Sequence, residues 1–196
     1  MHSALNPTRP DPGANVVRYE LDARMSRFRV QVFAGGLLSA FGHNPVIAIR
    51  DFAGEISYNP QAVEQGTVTV RIDPRSFEVA SEVSDKDRRE IEETMRRNVL
   101  EVERYPEILY ECSRLSASKT GEGQYWIALN GDLTLHGVTR GQAVSSRVSV
   151  SGNMLRASSE FTVRQSDYEI KPVSVAGTLK VKDELKLSFD IVARSS

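Results

Sequence analysis

The 196-residue sequence has one cysteine, Cys112, and three histidines, His2, His43 and His136. A lone cysteine forms no disulfide within the chain and excludes zinc sites built on two or more thiolates. The histidines have no carboxylate at metal-ligand spacing, so no metal is expected. An excess of one charge is also missing. Lys+Arg number 25 against 26 Asp+Glu, a net charge of −1. That balance argues against a broad nucleic-acid-binding surface and against a polybasic membrane anchor. Met1–Gly13 has no apolar run behind a basic start, so no secretory leader is read and a cytoplasmic location is expected. With Pro7, Pro10 and Pro12 so close together, residues 1–15 read as a disordered arm. Gln31 to Ile49 carries no Asp, Glu, Lys or Arg, but Gly35, Gly36, Gly42, Asn44 and Pro45 interrupt it and residues 45–49 read as a strand. No membrane span is expected. The chain also lacks a Gly-x-Ser-x-Gly elbow, a Lys-Ser/Thr phosphate loop and a His-Glu-x-x-His pair, so no cofactor and no catalytic residue are expected.

What is present is ordinary globular composition, 40% hydrophobic and 26% charged, enough for one domain over residues 16–196. Strand signals dominate. Arg27–Val32 alternates strictly, placing Phe28, Val30 and Val32 on one face. Phe52, Gly54, Ile56 and Tyr58 repeat the pattern and stop at Asn59-Pro60. Val68, Val70 and Ile72 repeat it again and stop at Asp73-Pro74. Period two with one polar face marks half-buried antiparallel strands. Ile108–Cys112 is a short strand with Cys112 on its apolar face. Tyr125–His136 is a long one, with Tyr125, Ile127, Leu129, Leu133 and Leu135 on one side and a turn starting at Gly137. Segments 143–150, 155–163, 173–181 and 185–191 follow, the last two joined by a hairpin at Asp183-Glu184. Nine or ten strands at this spacing indicate an all-β sandwich or barrel.

One main helix interrupts the strands. Ser84 can cap it, with Asp87 three residues on in the capping-box position. Ile91, Met95, Val99 and Val102 form one apolar stripe on a charged helix, expected to run until Arg104-Tyr105-Pro106. The stripe suits packing over an open barrel end, and Met95 an adaptable lining.

The order Phe52-x-Gly54-x-Ile56, Val68-x-Val70-x-Ile72-Asp73-x-x-Ser76, charged helix, Tyr105-Pro106-Glu107-Ile108, Gly131-Asp132-Leu133-Thr134-Leu135-His136-Gly137-Val138-Thr139 and Arg164–Tyr168 resembles the YceI-like family of lipocalin-like polyisoprenoid-binding proteins. The resemblance covers about residues 16–193. It implies an antiparallel lipocalin-like β-barrel that encloses an apolar cavity for an isoprenoid quinone, a polyprenyl chain or a similar amphiphile. Many members are secreted, and this sequence shows no such signal.

On patterning alone, the inward side chains Phe28, Val30, Val32, Phe52, Ile56, Tyr58, Val68, Val70, Ile72, Ile127, Leu129, Leu133 and Leu135 either fill the barrel or line a cavity, and small barrels usually fill. The resemblance implies the cavity, with Met95 at its end. The expected function is then non-enzymatic binding, carriage or storage of an isoprenoid, fatty-acyl or other lipid-like ligand. One rival is an enzyme using His43 or His136 as acid/base, and another is a protein-interaction scaffold with a filled barrel. His43 fits a ligand-headgroup contact or a turn. His136 fits a turn-stabilising hydrogen bond. Leu37, Leu38 and Phe41, in an uncharged loop, fit the cavity mouth or a homodimer interface. Arg164 and Asp167 fit a local ion pair beside Tyr168.

Overall fold

Alternating apolar residues along the chain become thirteen strands, accompanied by one main helix, in the computed structural model, which describes residues 16–35, 45–171, 174–175 and 179–195. The expected arm at 1–15 and the loop residues Leu37, Leu38, Phe41 and His43 lie outside the described residues. The strands are β1 (Val17–Leu21), β2 (Arg27–Gly35), β3 (Val46–Ile49), β4 (Phe52–Asn59), β5 (Ala62–Ile72), β6 (Phe77–Val79), β7 (Ile108–Cys112), β8 (Leu115–Gly121), β9 (Gln124–Leu135), β10 (Val138–Ser151), β11 (Met154–Arg164), β12 (Ser174–Val175) and β13 (Leu179–Ser195). The helix α1 spans Asp85–Thr94.

Every pairing is antiparallel. The order β1–β4–β5–β7–β9–β10–β11–β13 closes when β13 returns to β1 through Tyr19↔Ser195 and Leu21↔Ala193, giving an eight-stranded barrel. The other strands mostly prolong staves of this barrel. β13 pairs with β1 near its C-terminal end and with β2 further back, through Phe189↔Phe28. Likewise β3 pairs with β2 and β6 with β3, while β8 pairs with the part of β9 beyond β7. Four staves are therefore broken once each, which is why more strands are seen than sequence alternation suggests.

Polar side chains satisfy the backbone at these breaks. Between β1 and β2 the Ser26 hydroxyl donates to the Val192 carbonyl at 3.2 Å and accepts from the Val192 amide at 2.9 Å. Between β5 and β6 the Asp73 carboxylate accepts from the Arg75 amide at 2.8 Å, capping a short turn at Pro74–Ser76. A buried backbone group left unpaired is costly, so each interruption needs such a substitute.

Two local expectations are corrected. Asp183-Glu184 is not a hairpin, because β13 runs straight through it and stays in register with β11 as far as Arg164↔Glu184. The Asp183 carboxylate is used elsewhere, accepting the Ser166 amide at 2.8 Å and the Ser166 hydroxyl at 2.7 Å. The irregularity appears instead as a register shift against β2 between Val181 and Leu185. The helix also ends before Arg104. Its last turn widens over Met95–Val99, where the Leu100 amide reaches the Met95 carbonyl at 2.8 Å, and Glu101 then adopts φ +44° and reverses the chain. Val102 is consequently buried in the core beyond the helix. The cap matches expectation: the Ser84 hydroxyl accepts the Asp87 amide at 3.1 Å and donates to the Asp87 carboxylate at 2.7 Å.

The main core lies at the α1 end, where Ile47, Ile49, Phe52, Phe77, Val79, Leu100, Val102 and Ile170 pack together. A smaller cluster of Tyr19, Leu155, Ala157, Ile191 and Ala193 packs where β1 meets β13 and β11 flanks them. No helix among the described residues is long and apolar enough to cross a membrane.

Candidate functional site

The barrel is hollow. A cavity of about 550 Å³ opens inside it, walled by residues of all eight staves. Voids larger than a water molecule are few in packed interiors, and small-molecule sites run from roughly 300 to 1,000 Å³. The wall includes Pro60, Gly123 and Val150 beside the β4–β5 and β10–β11 turns, and Ile91, Met95 and Ile170 beside α1. The cavity thus extends along the barrel. Period-two alternation produces the apolar wall, because closure turns one face of every strand inward.

Most of the expected lining residues stand on this wall. β2 supplies Phe28, Val30 and Val32; β4 supplies Ile56 and Tyr58; β5 supplies Val68, Val70 and Ile72; β9 supplies Ile127, Leu129, Leu133 and Leu135; and Met95 comes from the wide helical turn. Phe52 is a correction. It sits in the core at the break between β3 and β4, its ring edge-on to Phe28 at 4.7 Å between centroids, and forms no part of the wall. Ile91 and Val99 line the cavity beside Met95, so the helix stripe faces the barrel interior.

α1 is held to the barrel through the free edge of β6. The Glu92 carboxylate accepts the Val79 amide at 2.9 Å, Arg88 donates to the Val79 carbonyl, and Arg96 donates to the Phe77 carbonyl at 3.4 Å. Three side chains of the helical segment therefore satisfy edge groups that another strand would otherwise pair.

Few polar groups reach the wall. The Tyr110 hydroxyl donates to the Gln142 carbonyl at 3.1 Å, and burial pushes its pKa well above the usual tyrosine value. Tyr58 lies parallel to Tyr19 at 6.2 Å; burial, then its Tyr19 neighbour, pushes its hydroxyl up to about 12. Both phenols stay protonated at neutral pH. Gln165, 4% exposed, donates to the Lys182 carbonyl at 3.0 Å. Among the described residues Arg29 is the one charged residue on the wall; it is exposed and follows the outward alternation of β2.

His136 is away from the cavity. It adopts φ +53° beside Gly137 at +75° in the two-residue turn between β9 and β10. Its Nδ1 lies 3.3 Å from the Tyr168 carbonyl and its Nε2 3.4 Å from the Glu101 carboxylate, with the Tyr105 ring 4.3 Å away between centroids. The imidazole thus ties the turn to the end of the helical segment. A side chain at Gly137 would meet the Tyr105 ring at 2.6 Å, so glycine is required there by contact as well as by φ. The expected Arg164–Asp167 ion pair does not form; the Asp167 carbonyl accepts from Arg140 at 3.2 Å instead. Cys112 is 3% exposed and its thiol donates to the Arg114 carbonyl at 3.2 Å.

Sequence reading passed over the second half of the wall. Val144, Ser146 and Val148 of β10, Phe161 and Val163 of β11, and Leu185, Leu187 and Phe189 of β13 all face the cavity. Their alternation was available as a signal, and Ser146 is a polar residue within an apolar inward stripe.

The family model for the YceI-like domain matches residues 19–193. No curated protein matches the chain. Among solved structures, BcnA of Burkholderia cenocepacia is 17% identical with a TM-score of 0.69, over 88% of this chain and 98% of that one. A polyisoprenoid binding domain from Saccharophagus degradans, implicated in plant cell wall breakdown, is 12% identical with a TM-score of 0.69, over 92% of this chain and 99% of that one. The YCEI protein of Campylobacter jejuni is 12% identical with a TM-score of 0.55, over 76% of this chain and 84% of that one. At these identities the likeness is one of fold.

Proposed function

The chain belongs to the YceI-like family, and we propose that it binds, carries or stores a long apolar amphiphile inside its barrel without transforming it. The ligand class is an isoprenoid quinone, a polyprenyl chain or a fatty-acyl chain. The observation that carries this reading is the hollow interior, about 550 Å³ lined mainly by apolar side chains. A tail that buries ~400 Å² there gains on the order of 10 kcal/mol before association and ordering costs, at about 25 cal/mol per Å². Such binding needs no catalytic group. The description of the Saccharophagus degradans domain as polyisoprenoid binding supports the same ligand class. The wall residues Phe28, Val30, Val32, Ile56, Tyr58, Val68, Val70, Ile72, Met95, Ile127, Leu129, Leu133 and Leu135 are the proposed tail contacts. The enzyme alternative loses support at His136, whose ring serves a turn outside the cavity.

Mass spectrometry of organic extracts from the purified protein tests the proposal. A co-purifying prenyl, quinone or acyl species at stoichiometric level is the expected result. A clean extract, together with failure to take up geranylgeraniol or palmitate on reconstitution, overturns it.

A further inference from the structure

Ser146 stands on β10 between Val144 and Val148, on the stripe that faces the cavity, and is 2% exposed. Its Oγ is one of two buried side-chain polar atoms without a hydrogen-bond partner among the described residues; the other, Nε of Arg96, is on a side chain that does not line the cavity. Three other interior polar side chains, by contrast, are engaged. On neighbouring β11, Ser159 donates its hydroxyl to the Ser145 carbonyl at 2.5 Å. Tyr110 and Gln165 donate to the carbonyls of Gln142 and Lys182. A serine hydroxyl carries one donor and two lone pairs, and burying it unpaired is unfavourable. Alanine or valine would continue the apolar stripe without that cost.

The surroundings limit what can meet this hydroxyl. Where they line the cavity, β9, β10 and β11 carry no charged residue; Arg140, on the same stripe of β10, is exposed beyond the wall and donates to the Asp167 carbonyl, and Arg29 follows the outward alternation of β2. An ionised carboxylate or phosphate at this depth would lack a counter-charge, which strongly opposes its burial. A neutral carbonyl or hydroxyl oxygen needs only one hydrogen bond to be accommodated.

We propose that Ser146 is the polar contact of the cavity: it hydrogen-bonds an uncharged oxygen of the bound amphiphile and so seats that group within the barrel. This rests on the reading that the cavity takes an apolar amphiphile, and it narrows the class to chains bearing a neutral carbonyl or hydroxyl. Ser146 then acts as a specificity-determining residue, setting how deep the oxygenated end sits.

Three probes with one prenyl chain test it: geranylgeraniol, geranylgeranic acid at about pH 8, where its carboxyl is ionised, and the hydrocarbon lacking the oxygen. Affinities are read by displacement of a fluorescent apolar reporter from the wild-type protein, Ser146→Ala and Ser146→Thr. Ser146→Ala is expected to weaken geranylgeraniol roughly three- to tenfold, the loss of one neutral hydrogen bond. The hydrocarbon should change less than twofold, Ser146→Thr should keep the alcohol's affinity, and the ionised acid should bind the wild type at least about tenfold more weakly than the alcohol. The unliganded Ser146→Ala protein should melt at or above the wild-type temperature, since an unpaired buried hydroxyl has been removed. An unchanged affinity for the alcohol, an equal loss for alcohol and hydrocarbon, or a lowered melting temperature without ligand would overturn the assignment. If the wild type binds none of the three probes, the amphiphile reading itself falls, and the two failures are thereby told apart.

Discussion

Val70→Trp tests the hollow barrel most directly. Val70 lies on β5, paired with Gly54 of β4 on one side and Tyr110 of β7 on the other, with its side chain on the cavity wall. An indole buries about 150–250 Å² when enclosed, on the order of 100 Å² more than the valine it replaces. In an open cavity that extra apolar burial contributes about 2–3 kcal/mol at ~25 cal/mol per Å², before the ordering of the larger side chain. The folded state should therefore hold its stability or gain slightly. In a filled interior the same substitution overpacks and costs ~1–3 kcal/mol or more. The sign of the stability change separates the two cases. The ligand loses what the indole takes: about 2.5 kcal/mol of wall contact corresponds to a decrease in affinity of roughly 70-fold. Urea denaturation of the unliganded protein gives the first quantity, and displacement of a fluorescent apolar reporter by geranylgeraniol gives the second. A variant destabilised by more than about 1 kcal/mol would mean that the interior near Val70 is already packed. A stable variant that binds within threefold of wild type would show that the ligand does not use this part of the cavity.

Gly137→Ala should lower stability by ~1–3 kcal/mol, because φ is +75° and the new methyl would meet the Tyr105 ring; Gly152→Ala, at φ +57° with open space around it, should cost less, and thermal melts of the pair make the comparison. Glu92→Ala removes the acceptor for the Val79 amide, so hydrogen exchange should accelerate in β6 and α1 and stability should fall by about 1–3 kcal/mol, whereas Glu92→Gln keeps an acceptor and should lose less; unchanged exchange would refute the latch at the β6 edge. The Asp183 carboxyl is held below its ordinary pKa by the Ser166 hydroxyl and amide. Because its folded value lies below its unfolded one, its stabilisation is complete above about pH 4 and drains away as the pH falls through the folded value. Asp183→Asn should therefore flatten the acid limb of the stability curve by a small amount, the carboxylate being largely solvated, and identical acid limbs for variant and wild type would remove this contribution.

Local physics was legible in the sequence alone. Alternation along Arg27–Val32, Phe52–Tyr58, Val68–Ile72 and Tyr125–Leu135 reports which side chains share a face, because strand geometry points successive residues to opposite sides. The Ser84 cap and the His136-Gly137 turn are equally local, each depending on a few adjacent residues. Motif order along the chain carried the family and, through it, the barrel. Long-range pairing decided the rest. Asp183-Glu184 resembles a hairpin turn in isolation, yet pairing of β13 with β11 keeps it extended and turns the Asp183 carboxylate toward Ser166. The stripe from Ile91 to Val102 reads as one helix until Glu101 reverses the chain and the fold buries Val102 on its own. Phe52 alternates like a wall residue, but the break beside it places its ring in the core. Above all, alternation says that a face is buried without saying against what. Whether inward side chains meet one another or surround a space depends on the number of staves and the register at which β13 closes on β1, quantities set by contacts between residues far apart in the chain.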